Sequence, residues 1–233
     1  MHPEIRAWPS RKFYDGRLED SKSVTDRELA LNQTPYQVSS QRFPLGAPYK
    51  VFDVVGGSSL KNQHGSLSNP EEALFVVCLY SAMVRAVEEE RKKRSTVGGN
   101  THSTFGTHDG QITLNPEPQN VNPTCAIITP YRQQRTAILK AFASLYGGDG
   151  AAGRLGVRVS TIDGFQGQEA DVVILSTVRG SDGYGAGSGG VHSGGVGFLA
   201  DVRRMNVALT RAKVRIILFP NSPKAFARPK RAM

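Results

Sequence analysis

The run of residues 171–178, DVVILSTV, constrains the fold of this chain more than any other feature of its sequence. Its apolar residues occupy both odd and even positions, so a strand formed by it presents apolar side chains to both faces of a sheet. Such strands lie in the interior of parallel sheets, where helices cover both faces. The run therefore predicts a layered α/β fold.

Other periodic segments surround this run in an order typical of α/β proteins. We expect Asn69 and Thr129 to cap two helices whose first residues are Pro70 and Pro130, with Glu72 facing the exposed amides of the first. A three-layer α/β domain with a mainly parallel sheet is the economical arrangement. Strands are predicted at 49–55, 125–129, 157–162, 171–178 and 214–219, and helices at about 69–91, 130–145 and 201–213.

The chain divides into one domain and its appendages. Residues 1–48 are predicted to be an irregular arm, and residues 49–219 to be the domain, with polar or glycine-rich insertions at 95–122 and 180–197. Residues 220–233 form a basic tail. His102 and His108 fall in the first insertion and are expected to be solvent-exposed.

Several classes of protein are excluded by composition. Cys78 and Cys125 lie too far apart in sequence for a zinc motif or a disulfide framework, which favours a reducing intracellular compartment and no metal site. The longest charge-free apolar run, residues 73–84, is shorter than the roughly 20 residues that a membrane-spanning helix needs. The first residues lack the basic and apolar regions of a signal peptide.

The positive charge of the chain is concentrated at one end. The formal net charge is +9, and from Arg203 onward there are nine Lys or Arg residues and no Asp or Glu. This distribution predicts a local anion site followed by a basic tail. A solvated charged face with a fraying end remains the alternative for the tail.

Three segments are predicted at the carboxyl ends of strands, where open α/β sheets bind ligands. In residues 129–134, TPYRQQ, a helix N-terminus carries an Arg and two amides, although any capped helix could have this composition. In residues 160–169, STIDGFQGQE, two glycines permit close approach, while Thr161 and Glu169 offer groups for a phosphate and a sugar hydroxyl. No packing argument requires such a polar run between two buried strands.

The third segment is the helix predicted at 201–213. Met205, Ala208, Leu209 and Ala212 form its apolar stripe, and Arg204 and Arg211, seven residues apart, should share another face. An Arg fork suits phosphate. The alternative is that these arginines form structural ion pairs with Asp201 or Glu169, which we accept for Arg203 and not for Arg211.

These segments, in this order, resemble the superfamily 1B helicases. VSTIDGFQGQEADVVILSTVRG and GFLADVRRMNVALTRAK look like motifs V and VI of that family, and CAIITPYRQQ looks like the segment before them. The opening MHPEIRAWPSRKFYDGRL is similar to the start of its second RecA-like domain. YKVFDVVGG, SLSNPEEALFVVCLY and TIDGFQGQE together resemble senataxin-like members most, with the nonsense-mediated-decay helicase a near cousin.

The resemblance implies a role for particular residues. Arg211 would be the arginine finger on the γ-phosphate, supported by Arg204. Gly167, Glu169 and Gln166 would line the nucleotide. The residues implied at the nucleic-acid surface are Thr129, Tyr131, Thr161 and Asp163.

The resemblance also implies a partner domain. The family has Gln-Tyr-Arg immediately before Met-His-Pro, which here begins the chain, and the sequence contains no Gly-x-x-x-x-Gly-Lys-Ser/Thr loop to cradle phosphates and no Asp-Glu box. ATP and Mg²⁺ would therefore need the first RecA-like domain of the same protein. We predict that the isolated chain does not turn over ATP.

The biological setting follows from the same likeness. The expected partner is single-stranded RNA or an RNA/DNA hybrid, no membrane is involved, and the location is nuclear, with the cytoplasm as the alternative. A non-catalytic nucleic-acid or protein-binding module that retains the fold is the competing function.

Overall fold

A five-stranded parallel sheet forms the centre of the fold. The computed structural model describes residues 1–20, 48–52, 54, 59–97, 124–178 and 201–219. The strands are β1 (Tyr49–Val51), β2 (Leu60–Lys61), β3 (Leu67–Ser68), β4 (Cys125–Thr129), β5 (Val157–Thr161), β6 (Ala170–Ser176) and β7 (Ala212–Phe219). The order in the sheet is β1, β7, β6, β4, β5, with every pair parallel, so β6 lies in the middle. Strands β2 and β3 form a separate antiparallel hairpin.

Helices cover both faces of this sheet. They are α1 (Pro3–Phe13), α2 (Pro70–Val97), α3 (Arg132–Tyr146), α4 (Ala151–Arg154) and α5 (Val202–Leu209), with a short 3-10 turn at Asp163–Phe165. One core cluster contains residues of α2, α3 and α4, and the other contains residues of α1, α5 and the 3-10 turn. Val172 and Ile174 of β6 belong to the first cluster, and Val173 and Leu175 to the second. The three-layer α/β architecture and the two-faced strand are therefore confirmed.

The amino-terminal segment is more regular than its composition predicted. Instead of an irregular arm, residues 3–13 form α1, which begins at Pro3 with the His2 side chain accepting a hydrogen bond from the Glu4 amide at 3.1 Å. Ile5 packs into the second core cluster. Pro9 inside the helix and the weak separation of apolar from polar residues conceal it in the sequence.

Helix α2 begins as predicted and ends later. The Asn69 side chain accepts a hydrogen bond from the Glu72 amide at 2.9 Å, and the helix continues to Val97 rather than ending near residue 91. The last three residues of the helix, 95–97, were predicted to begin the first insertion. The rest of that insertion, residues 98–122, lies outside the described residues. The first half is not buried all round, because Leu74 and Phe75 are exposed.

Two helix boundaries differ from the prediction because strand pairing overrides helix periodicity. Thr129 is the last residue of β4 rather than a helix cap, and Tyr131 occupies the N-cap position of α3. Helix α5 ends at Leu209 instead of about residue 213, since Ala212 pairs with Ala170 of β6. Arg211 therefore lies in the turn between α5 and β7.

The remaining strands match the predicted positions with altered ends. Strand β4 has the predicted bounds, while β1 is shorter and β6 begins and ends earlier than expected. The insertion predicted at 180–197 and the tail at 220–233 lie outside the described residues, as do His102 and His108. Within the described part of the chain, no helix combines the length and apolarity needed to cross a membrane.

Candidate functional site

Three strands end together at one edge of the sheet. Thr129 of β4 pairs with Thr161 of β5, and Ile128 pairs with Leu175 near the end of β6. The segments that follow these strands therefore begin side by side. This is the carboxyl edge, where a parallel sheet leaves room for ligands between its loops.

The turn after β5 is anchored by one buried ring and one hydroxyl. Phe165 is inserted into the second core cluster, and the Thr161 hydroxyl oxygen accepts a hydrogen bond from the Gly164 amide at 3.1 Å. Gly167 has φ +76°, and a Cβ there would meet no atom within 4 Å. Gln166 and Gly167 are both exposed. The turn thus presents backbone and an amide side chain to solvent at a fixed position.

Several charged side chains around this turn form ion pairs with residues distant in sequence. Arg204 lies between Asp163, at 3.6 Å, and Asp201, at 3.7 Å, and more than half of its side chain is exposed. The Glu169 carboxylate pairs with the Lys213 ammonium. Such exposed pairs hold their partners weakly.

These pairs correct the prediction about the arginines. An ion pair with Asp201 or Glu169 was predicted for Arg203. Asp201 pairs with Arg204 instead, and Glu169 pairs with Lys213. Among the described residues, Arg203 is exposed and forms no ion pair. Arg204 and Arg211 do not share a helix face, because Arg211 lies beyond the end of α5.

The Arg211 guanidinium is held by neutral oxygens. Its Nε donates to the Val207 carbonyl at 2.9 Å, and its two terminal nitrogens donate to the Gln168 carbonyl at 3.2 Å and to the Thr210 hydroxyl at 3.1 Å. Within the described ranges it has no carboxylate partner. The hydrogen bond to Gln168 brings Arg211 to the turn that follows β5. Its charge is therefore not neutralised by a described residue.

The start of α3 presents a different set of groups. Tyr131 is half-buried and Arg132 is exposed, so both side chains reach the surface. Thr129 is fully buried, and its hydroxyl oxygen accepts a hydrogen bond from the Tyr131 amide at 3.4 Å. This burial argues against the prediction that Thr129 contacts a phosphate in this conformation.

A buried polar junction below this edge was not predicted from the sequence. The Gln134 amide nitrogen donates to the Ser176 hydroxyl at 2.9 Å, and the Ser176 hydroxyl donates to the Glu72 carboxylate at 2.6 Å. That carboxylate also accepts from the Val178 amide at 3.1 Å, so Glu72 links the start of α2 to the end of β6. The junction, which also includes Asn69, is fully buried. The clustering of Asn, Glu and Gln near two helix starts was the only sequence signal.

Metal-ligating side chains do not cluster among the described residues. In the parts of the chain that the structure describes, no three His, Cys, Asp or Glu side chains are grouped as ligands.

Comparison with known proteins gives a consistent result. A family model described as an AAA domain matches residues 1–223. Helicase SEN1 of Saccharomyces cerevisiae is 34% identical over 217 residues, which cover 93% of this chain and 8% of the yeast protein. The regulator of nonsense transcripts 1 homolog of Drosophila melanogaster is 30% identical over 98% of this chain and 15% of its own length. The probable helicase senataxin of Mus musculus is 28% identical over 94% of this chain and 6% of its own length.

Proposed function

This chain belongs to the superfamily 1B helicases of the senataxin and nonsense-transcript-regulator type, and from that premise we propose that it is their second motor domain. It would act in an ATP-dependent helicase on single-stranded RNA or an RNA/DNA hybrid. The chain spans only a small part of each of these relatives, 6% to 15%. The first RecA-like domain would therefore come from elsewhere in a longer protein.

The single observation that carries the proposal is the setting of Arg211. Its guanidinium is oriented by three neutral acceptors and, among the described residues, is not neutralised by a carboxylate. A planar fork with an uncompensated charge suits a phosphate that accumulates negative charge during its transfer. We assign Arg211 as the finger on the γ-phosphate, with Arg204 as the supporting cation.

The nucleotide would lie against the turn after β5. The exposed backbone at Gly167 allows close approach, and Gln166 adds an amide beside it. Glu169 is exposed and paired only with Lys213 among described residues, so its carboxylate would exchange that partner for a ribose hydroxyl. Mg²⁺ would be held by the first domain, and no role of the residues described here depends on it.

The nucleic-acid strand would cross the same edge beside α3. Thr161 accepts the Gly164 amide, which leaves its hydroxyl hydrogen to donate to a phosphate. Tyr131 would stack on a base, since its ring reaches the surface. When Arg204 turns to the nucleotide, its ion pair with Asp163 would break. The Asp163 carboxylate would then accept a hydrogen bond from a sugar hydroxyl. The greater likeness to Helicase SEN1 favours a nuclear location over a cytoplasmic one.

An ATPase assay with single-stranded RNA tests the proposal. We expect no turnover from the 233-residue chain, and RNA-stimulated turnover from a longer protein that contains it and a first domain. In that protein Arg211→Ala should lower the rate roughly a thousandfold or more. Arg203→Ala removes an exposed cation from the same region and should leave the rate unchanged.

Two results would count against the proposal. Turnover by the 233-residue chain above the blank would contradict the need for a first domain. Equal rates for Arg211→Ala and Arg203→Ala would show that Arg211 is not the arginine finger. RNA binding by the longer protein without any ATP turnover would instead favour the non-catalytic module. Circular dichroism of each variant separates loss of activity from loss of fold.

A further inference from the structure

The hairpin formed by β2 and β3 lies outside both core clusters. None of residues 60–68 belongs to either core cluster, and Leu60 is 54% exposed. An isolated two-stranded hairpin this short is not stable in water. Its order must therefore come from other contacts.

Side-chain hydrogen bonds hold the tip of the hairpin. The Asn62 carboxamide oxygen accepts from the His64 amide at 3.1 Å and from the Ser66 amide at 2.8 Å. The backbone closes the same turn, with the Gly65 amide donating to the Asn62 carbonyl at 3.0 Å. Gly65 has φ +77°, a conformation that side chains disfavour. The tip is thus a single defined turn.

Further contacts fasten the hairpin to the start of α3. The Gln133 amide donates to the Ser66 hydroxyl at 3.3 Å, and β3 packs against α3. One residue later, the Gln134 carboxamide binds both backbone groups of Asn69, accepting from its amide at 2.8 Å and donating to its carbonyl at 3.3 Å. The buried polar junction therefore fixes the hairpin relative to the carboxyl edge of the sheet.

The surface of the hairpin carries the chemistry of an anion-binding element. Residues 59–69 contain no Asp or Glu. Lys61, Gln63 and His64 are exposed, and within the described chain the side chains of Lys61 and His64 form no hydrogen bond or ion pair. Arg132, exposed on the first turn of α3, adds a second cation next to Gln133, whose amide contacts Ser66. A cation, an amide and an imidazole on a rigid turn offer a contact to phosphate and a face for stacking on a base.

We propose that the β2–β3 hairpin is a further contact for single-stranded nucleic acid, through Lys61 and His64 with Arg132 beside them. The inference rests on the proposed function, because it extends the strand surface at Tyr131 and Thr161 along the same edge. The occupant is a nucleic acid rather than an acidic protein because the tip combines charge with groups that stack and hydrogen-bond. The hydrogen bonds that hold the hairpin favour this role, because a hairpin that is already ordered loses less conformational entropy when it binds nucleic acid.

Fluorescence anisotropy with a labelled single-stranded oligouridylate tests this contact on the 233-residue chain. We expect Lys61→Ala and Arg132→Ala each to weaken binding several-fold and to reduce the slope of log affinity against log salt by about 0.7. His64→Ala should weaken binding with no change in slope beyond error. Lys140→Ala is the matched control, because this exposed lysine lies two turns further along α3, away from the edge.

A substitution at Asn62 tests whether the rigidity of the turn contributes to binding independently of its charge. Asn62→Ala removes both side-chain hydrogen bonds of the tip and should lower affinity while keeping the salt slope of the wild-type chain. Circular dichroism should give unchanged spectra for all five variants, because every substituted side chain lies at or near the surface.

The outcomes distinguish this inference from the function on which it rests. If the wild-type chain binds and Lys61→Ala, His64→Ala and Lys140→Ala all bind equally, the hairpin is not a contact although the strand-binding role stands. If the wild-type chain binds no oligouridylate, both are overturned. If polyglutamate displaces the oligouridylate as well as unlabelled RNA does, the hairpin is a general anion contact and the nucleic-acid assignment is wrong.

Discussion

The guanidinium of Arg211 donates a hydrogen bond to the backbone carbonyl of Gln168, which joins the turn after α5 to the turn after β5. The two residues are 43 positions apart in sequence, and the Ala170 amide donates in return to the Arg211 carbonyl at 3.0 Å. The assigned finger and the assigned nucleotide contacts are therefore parts of one hydrogen-bonded unit.

Replacing Arg211 by Lys should destabilise the chain although it keeps the charge. One ammonium cannot satisfy the three acceptors that the planar fork reaches. Each hydrogen bond lost contributes about 1 kcal/mol, so urea unfolding should show a loss of about 1 to 2 kcal/mol. Arg203→Lys, at an exposed position, should stay within about 0.5 kcal/mol of the wild type. Equal stabilities for the two variants would show that the fork is not held as described.

Gly164 should tolerate no side chain. A Cβ there would lie 2.9 Å from the Ser160 hydroxyl oxygen and 3.0 Å from that of Thr161, which already accepts the Gly164 amide. We expect Gly164→Ala to lower the free energy of unfolding by about 1 to 3 kcal/mol, as overpacking does. Gly153→Ala is the control, because its Cβ would meet nothing within 4 Å and alanine favours the helix by up to about 1 kcal/mol. A Gly164→Ala variant as stable as Gly153→Ala would contradict the geometry of the turn.

The fold was predictable to the extent that it depends on local periodicity. The two-faced run at β6 was sufficient to predict the three layers, because Val172 and Ile174 point to one face and Val173 and Leu175 to the other. Helix α5 was extended too far because its sequence remains helical in pattern past Leu209. The pairing of Ala212 with Ala170 ends it, and that long-range contact leaves no local mark in the sequence.

The sequence pointed to the turn after β5, but it did not reveal the buried polar groups beneath the site. The polar side chains in the run after β5 drew attention to the segment that contacts Arg211. The packing role of Phe165 within that run was not predicted. The buried polar junction escaped prediction because Glu72, Gln134 and Ser176 come from three elements far apart in sequence. Only the parallel sheet brings them together. Arg203 and Arg204 are neighbours on α5, and only the exact helix geometry decides which of them reaches Asp201. The periodicity of the sequence does not give that detail.

The ion pair between Arg204 and Asp163 should contribute little to stability. The two groups are 3.6 Å apart with side chains 55% and 68% exposed, so water screens their attraction. A double-mutant cycle with Arg204→Gln and Asp163→Asn should give a coupling energy of about 0.5 kcal/mol or less by urea unfolding. That result would leave Arg204 able to exchange its carboxylates for a phosphate. A coupling of several times this size would mean that Arg204 is committed to a structural pair.

Tyr80 should make the stability of the chain fall at alkaline pH. Its ring stacks edge-on against Phe142, its hydroxyl donates to the Leu155 carbonyl at 2.8 Å, and it lies in the first core cluster. Burial, with smaller repulsion from Cys125 and Tyr146, raises its pKa from 10.0 to about 12, and burial alone raises the pKa of Tyr49 equally. The folded state therefore keeps protons on these two tyrosines that the unfolded chain has released. Their contribution to stability is fully present below pH 10 and is lost as the pH rises through about 12.

The variant Tyr80→Phe tests which group is responsible. It removes one of three titrations with a raised pKa, those of Tyr80, Tyr49 and Cys125. It also removes the hydrogen bond to Leu155, so the variant should be less stable than the wild type by about 1 kcal/mol near neutral pH. Between pH 10 and about 12 its stability should decline less steeply than that of the wild type, because only Tyr49 and Cys125 still titrate with a raised pKa. Urea unfolding across this range measures both effects, with Tyr14→Phe, at an exposed ring, as the control. Parallel declines for wild type and Tyr80→Phe would show that the Tyr80 hydroxyl is not sheltered from solvent in the folded chain.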